Sequence, residues 1–127
     1  MRLTTIFALV GTFMLSATGV VAGGGFSASC SGYYIRDNHF LVANCADGNG
    51  GRRDSTLDLN QCIVNAGGRL ICQANGGYGA SCSGCGIRTG AYMTCECNGT
   101  GATIVDLDQC VANYGETSNI RYFRVEQ

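Results

Sequence analysis

The sequence predicts an all-β domain built from two tandem copies of one pattern and stapled by disulfides. Three observations carry this expectation. The chain of 127 residues holds 20 Gly, 9 Cys and no Pro, with 46% hydrophobic and only 13% charged residues. That is the composition of tight turns and cross-links, not of a disordered polyelectrolyte. Residues 28–36 (ASCSGYYIR) and 80–88 (ASCSGCGIR) are identical at seven of nine positions, at an offset of 52. Residues 57–67 (LDLNQCIVNAG) and 105–115 (VDLDQCVANYG) match at six of eleven, at an offset of 48, so the second copy lacks four residues between the two blocks. Repeats of about 50 residues do not bury a core alone, so the copies are expected to cover each other in a single domain.

The N-terminus reads as an export signal. Arg2 precedes an apolar stretch over 6–15 (IFALVGTFML), and small residues lead to Ala22. The alternative, a membrane anchor, needs a longer apolar run than this. A signal peptide over 1–22 leaves a mature domain over 23–127, with repeats at about 26–76 and 78–125 and no membrane span after cleavage. All 8 basic residues are Arg, and the net charge of −1 offers no basic face for nucleic acid. The single histidine, His39, excludes any mechanism that needs two imidazoles.

Within each copy the local pattern is β. Residues 33–36 and 40–45 flank Asp37-Asn38-His39 as one hairpin, and Ile87-Arg88 and 92–97 flank Thr89-Gly90-Ala91 as its repeat. Ile71 and Val125 lie in short extended runs that close the copies. Asp58 and Asp106 precede short apolar segments and are expected to cap helical turns. Gly-rich stretches at 48–51, 76–79 and 99–101 are loops, and 76–79 is too short to separate two domains.

An exported chain uses cysteine for disulfides before metals. Cys30 and Cys45 bracket the first hairpin with the same spacing as Cys82 and Cys97 bracket the second, which predicts Cys30–Cys45 and Cys82–Cys97. Cys85 and Cys95 replace Tyr33 and Ala43 of the first copy together, which predicts Cys85–Cys95 with a bulge at Ser83-Gly84. Cys62 and Cys72 are then expected to pair through the Asn65–Gly68 turn, leaving Cys110 unpaired and able to link two chains. The rival for Cys82, Cys85, Cys95 and Cys97 is a zinc knuckle. No cofactor or metal is expected.

The ordered set resembles the cyanovirin-N homologue family, in particular its secreted fungal members. The residues that carry the likeness are Phe26–Cys30, Cys45, Asn49-Gly-Gly, Leu57–Asn60, Asn65, Gly68–Leu70, Tyr78–Cys82, Cys97, Val105–Asp108 and Val111–Gly115. The resemblance implies an elongated, pseudo-symmetric all-β domain with strand exchange between its halves. It also implies a lectin for mannose-rich glycans and glycoproteins, with one site per lobe and no metal, occurring as a monomer or a domain-swapped dimer. The copy-2 ending Glu116–Asn119 and five additional cysteines depart from the family pattern.

Family contact positions fall on Gly25, Ala28, Ser29, Ala46, Asp47, Gly48, Asn113 and Tyr114 in one lobe. In the other they fall on Val64, Asn65, Gly67, Asn75, Gly76, Ala80, Ser81, Asn98, Gly99 and Thr100, with Gln73 nearby. Sugar recognition needs amides, hydroxyls and carboxylates converging on ring hydroxyls. The candidate carbohydrate-binding side chains are therefore Asn65, Gln73, Asn75, Ser81, Asn98 and Thr100 in the second lobe, and Ser29, Asp47, Asn113 and Tyr114 in the first. The polar groups of the second lobe outnumber those of the first, so it is expected to bind more. Asn98-Gly99-Thr100 is the chain's only N-glycosylation sequon, and a glycan there would cover the second-lobe site.

Bland roles compete for the same residues. Asn65 and Asn113 precede turn glycines, where Asn bonds its own backbone. Tyr33, Tyr34 and Tyr92 are expected to pack, and His39 to be an exposed spectator. Asp37, Asp47 and Asp54 are loop acids with nothing to set two of them across a cleft, so no enzyme is expected. The alternative to a lectin is a disulfide-rich secreted structural or effector domain that has lost sugar binding.

Overall fold

The computed structural model describes residues 25–99, 101–115 and 120–122. The expected signal peptide and Val125 lie outside them. Strands β1 (Cys30–Arg36), β2 (Phe40–Ala46) and β3 (Arg52–Asp58) form an antiparallel sheet in that order. Strands β4 (Ile63–Ala66) and β5 (Arg69–Cys72) form a hairpin. The second copy repeats both units, with a sheet of β6 (Cys82–Thr89), β7 (Tyr92–Cys97) and β8 (Ala102–Asp106) and a hairpin of β9 (Val111–Asn113) and β10 (Ile120–Tyr122).

Alternation explains the two central strands. In β2, Leu41, Ala43 and Cys45 are buried, and in β7, Met93, Cys95 and Cys97. Strand β3 has no such signature, because Arg52, Arg53 and Asp54 open it on an exposed stretch. The expected bulge occurs in both copies. The register shifts between Ser31 and Tyr34 and again between Ser83 and Gly86. Gly32 and Gly84 sit there at φ 60° and 64°, a backbone that glycine adopts freely. Asp58 and Asp106 cap 3-10 turns over Leu59–Gln61 and Leu107–Gln109, each accepting from an N–H two residues on at 3.0 Å.

The hairpins are exchanged between the copies. The β4–β5 hairpin of the first copy lies against β8 of the second, and Val64 bridges Gly77. The β9–β10 hairpin of the second copy lies against β3 of the first, where Ala112 bridges Gly25 and the Ile120 N–H donates to Ser55 Oγ at 3.1 Å. Lobe 1 is thus β1–β3 with β9–β10, and lobe 2 is β6–β8 with β4–β5. Matching clamps hold each crossing. Asn60 Oδ1 accepts from Gly79 N–H at 2.8 Å, and the Asn60 carbonyl from Gly77 N–H at 2.9 Å. Asp108 accepts from Ser27 N–H at 2.9 Å and from Ser27 Oγ–H at 2.6 Å, and its carbonyl from Gly25 N–H at 2.7 Å. At Gly76 the chain passes so close to Ile63 that a Cβ would strike the Ile63 carbonyl.

The core is one cluster filled by copy-equivalent pairs: Phe26 with Tyr78, Leu41 with Met93, Leu59 with Leu107 and Ile63 with Val111, all at 0% exposure. Tyr33 packs edge-on against Phe26, with ring centres 5.0 Å apart. Tyr34 and Tyr92 do not pack as expected and are 52% and 45% exposed, because both lie on the outward faces of their sheets. Asn38 ties the lobes together. Its Nδ2 donates to the Cys82 carbonyl at 2.8 Å and its Oδ1 accepts from Cys85 N–H at 3.0 Å. Its carbonyl accepts from the buried Tyr78 hydroxyl at 2.8 Å, and burial pushes that hydroxyl's pKa well up.

Three disulfides stand where the sequence places them, at Cys30–Cys45, Cys82–Cys97 and Cys85–Cys95, and the last two take up all four sulfurs of the rival zinc knuckle. The fourth differs. Cys72 bonds Cys110, and Cys62 is a buried thiol, so neither the Cys62–Cys72 bond nor an unpaired Cys110 holds. Two physical reasons account for the correction. In the β4–β5 hairpin Cys72 is opposite Ile63, and Cys62 is one residue out of register, on the other side of the period-2 alternation. The exchange of hairpins then carries Cys72 to a Cα distance of 5.4 Å from Cys110, across 38 residues of sequence. A dimer linked through Cys110 loses its basis, since that sulfur is bonded and buried. Burial, with a smaller contribution from the Asp58 charge, pushes the Cys62 thiol up to about 12.

Candidate functional site

Three segments converge at the tip of lobe 2: the end of β4, the residue after the 3-10 turn Tyr78–Ala80, and the residue after β7. Asn65 Nδ2 donates to Ser81 Oγ at 2.8 Å, and Asn65 Oδ1 accepts from Gly68 N–H at 2.8 Å. The Ser81 carbonyl accepts from Asn98 N–H at 3.1 Å. Asn98 turns left-handed at φ 57° directly after β7 ends, and it is exposed, as is Ser81. Asn65, Ser81 and Asn98 therefore stand together. Gln73 and Asn75, also exposed, are held beside the 3-10 turn of the first copy, through N–H bonds to the Cys62 carbonyl at 2.9 Å and the Gln61 carbonyl at 2.7 Å. Thr100 lies outside the described residues.

Lobe 1 repeats the arrangement but closes it. Asn113 Nδ2 donates to Ser29 Oγ at 2.9 Å and to the Ala46 carbonyl at 3.0 Å, while its Oδ1 accepts from Gly115 N–H at 3.0 Å. Asn113 is 2% exposed, and its amide is used inside the protein. Asp47 Oδ1 accepts from Asn49 N–H at 2.8 Å and Gly51 N–H at 3.1 Å, which closes the 47–51 loop. Those two bonds, Asn49 first, hold its carboxyl below the ordinary carboxylate range. Tyr114 is half-buried beside this loop's neighbour Gly115. Ala28, Ala46 and Gly48 can offer only backbone groups.

The remaining candidates have other partners. His39 is not a spectator: its Nδ1 lies 2.8 Å from Asp58 Oδ1, and its ring is 4.2 Å from Phe40. The register of Phe40 opposite Asp58 causes this, and sequence distance hides it. Asp54 accepts from Asn44 Nδ2 at 3.0 Å, and Asp37 lies 3.6 Å from Arg36 Nε. Asp54 is not in a loop but in β3, and each of the three acids has a separate local partner.

Comparison with known proteins agrees with this architecture. The CVNH domain model matches residues 26–116. No curated protein matches the sequence at a significant level. Among solved structures, GzCVNH of Gibberella zeae is similar at 24% identity and a TM-score of 0.66, over 78% of this chain and 97% of that one. A MoCVNH3 variant in complex with (N-GlcNAc)4 is similar at 16% identity and a TM-score of 0.70, over 79% and 97%. Microvirin in its mannobiose complex is similar at 24% identity and a TM-score of 0.58, over 79% and 99%. At these identities the structural likeness speaks for the fold, and the family model, which spans most of the chain, speaks for kinship. The chain belongs to the cyanovirin-N homologue family, a family of carbohydrate-binding lectins.

Proposed function

We propose that this chain is a secreted lectin that binds mannose-rich glycans weakly and mainly through lobe 2. The observation that supports this is the different state of two equivalent amides. Asn65 makes one donated and one accepted bond and stays accessible beside exposed Ser81 and Asn98, whereas Asn113 is buried with three bonds. Relatives of the same fold are seen with (N-GlcNAc)4 and with mannobiose, which supports a saccharide ligand. Neutral hydrogen bonds net about 0.5–1.5 kcal/mol each, so a shallow tip with few side chains binds a mannobiose at roughly high-micromolar to millimolar Kd. Tighter binding requires several sites on one branched glycan.

Export follows from the apolar stretch over 6–15, and the intact mass of secreted protein is expected to show cleavage after Ala22. A glycan attached at exposed Asn98 would cover the Asn65–Ser81 pair, so unglycosylated protein is the sample to use. Titration with a dimannoside, followed by amide NMR, is expected to shift residues near 65, 75, 81 and 98. Shifts clustered near 29, 47 and 113 would overturn the lobe assignment. No shift with any mannoside at millimolar concentration would favour the second reading, a stapled structural or effector domain, which the closed amide of lobe 1 supports for that half.

A further inference from the structure

We propose that lobe 1 carries a second glycan-binding surface, on the outer face of β1–β2–β3, suited to an uncharged linear oligosaccharide rather than to a disaccharide at the tip. The inference rests on the lectin reading above. Ser31 pairs with Asn44 and Asn44 with Asp54, so these three side chains form one row across the sheet. The next row on the same face is Tyr34, Val42 and Thr56. Arg52 lies over the first row. Its Nε donates to Asn44 Oδ1 at 2.7 Å, and its Nη2 to Ser31 Oγ at 3.1 Å and the Asn44 carbonyl at 2.8 Å. Asn44 Nδ2 passes the connection on to Asp54 Oδ1. A guanidinium held by three bonds is oriented in advance and keeps its Nη1 donors for a ligand. Tyr34, 52% exposed, presents a ring about 7 Å along the strand from that row, a distance of two residues. Hydroxyl, amide, guanidinium and carboxylate beside an aromatic ring are the groups that bind sugar hydroxyls and the apolar face of a sugar ring.

The fold does not demand this set. The equivalent rows in lobe 2 are Ser83, Glu96 and Ala102, then Gly86, Thr94 and Ile104, on the same register and with the same bulge. Neither row holds an amide or an aromatic ring, and the guanidinium there, Arg88, makes a single bond, to Thr94 Oγ1 at 3.3 Å. The occupant follows from charge and from position. Arg52 and Asp54 meet through one amide, so the row carries no net charge and favours a neutral ligand over a uronate or phosphate. Arg52 is also opposite Ala46, whose carbonyl belongs to the Ser29–Asn113 set at the tip. A linear chain laid across the sheet beside that closed tip meets Ser31, Asn44 and Arg52 and reaches Tyr34.

The test compares mannobiose with linear mannohexaose on the full unglycosylated protein by amide NMR, in wild type and Tyr34→Ala. Hexaose is expected to shift residues 31, 34, 44 and 52 and to bind lobe 1 about 5-fold more tightly than mannobiose, a gain of about one hydrogen bond or stacking contact. Tyr34→Ala is expected to remove that gain, and its amide dispersion reports that the exposed substitution leaves the fold intact. Hexaose shifts confined to residues near 65, 81 and 98, or an undiminished gain in Tyr34→Ala, would overturn the proposal while leaving the lobe 2 lectin standing. Shifts on the sheet face with none near 65, 81 and 98 would support it and overturn the lobe 2 reading.

Discussion

Lobes 1 and 2 place the same Asn–Ser pair at their tips and put it to different use. In lobe 1, β2 stays extended through Ala46, so the Ala46 carbonyl meets Asn113 Nδ2 and the amide is closed inward. In lobe 2, β7 ends at Cys97 and Asn98 turns left-handed, which redirects the equivalent backbone and leaves Asn65 with Ser81 alone as its side-chain acceptor. One residue's backbone conformation thus separates a structural clasp from an accessible polar tip. A duplicated motif carries no guarantee of duplicated function.

The largest expected effect is at the Asn113–Ser29 pair. Asn113→Ala removes three bonds of a buried amide, to the half-buried Ser29, Ala46 and Gly115, and is expected to cost about 3 kcal/mol in urea unfolding. Asn65→Ala, half-exposed, is expected to cost about 1 kcal/mol and to weaken mannobiose binding about 10-fold or more. Equal destabilisation by the two would erase the distinction between clasp and tip.

The second contrast lies between the hairpin turns. Asn38 makes two side-chain bonds into β6, and its copy equivalent Gly90 has no side chain. Asn38→Ala loses both bonds and places alanine at φ 74°, for an expected loss of about 2–3 kcal/mol. Gly90→Ala meets only the strain of φ 52°, about 1 kcal/mol, since the Tyr92 ring is 3.9 Å from the added Cβ. A larger loss at position 90 would show that the lobes are held together from the other side.

The equivalent cysteines Cys62 and Cys110 also differ, one a buried thiol and one a disulfide. Native protein at pH 8 is expected to resist iodoacetamide, because Cys62 is buried with its thiol pushed up to about 12, and peptide mapping is expected to join Cys72 to Cys110. A raised folded value favours the protonated thiol, so this contribution to stability is fully present below 9.0 and is lost as pH rises towards about 12. Rapid native labelling of Cys62, or of Cys110, would break the assignment.

The smallest effect belongs to the 47–51 loop. Asp47 has its carboxyl held below the ordinary range, so the loop's closure is complete above the unfolded value of 3.8 and is lost as pH falls through the lower folded one. The Asn49 and Gly51 amides are expected to shift with a midpoint below 3.8, and a midpoint at or above it would mean that those bonds are absent in solution.

Much of the fold was legible because it is local or repeated. Equal cysteine spacing across two hairpins specifies Cys30–Cys45 and Cys82–Cys97. Joint replacement at Tyr33 and Ala43 specifies Cys85–Cys95, and Ser83-Gly84 its bulge, because cross-strand neighbours on one hairpin are set by register alone. Asp58 and Asp106 read as caps because a cap reaches only two residues ahead. The tip residues Asn65 and Ser81 were legible as candidates, yet nothing local distinguishes Asn65 from Asn113.

Local spacing and repetition thus specify the duplication, the hairpins with their own disulfides, the capped turns and the polar residues available for binding. How the halves cross emerges only on folding, and with it the partner of Cys72, the span of Asn38 into β6 and which Asn amide stays open. The physical reason is range. Register and capping act over a few residues, whereas the exchanged hairpins are placed by burial of Leu59, Ile63, Leu107 and Val111 in one shared core. That burial has no direction along the chain, so the contacts it creates, 38 residues apart at Cys72–Cys110 and 84 at Asn113–Ser29, leave no spacing to read.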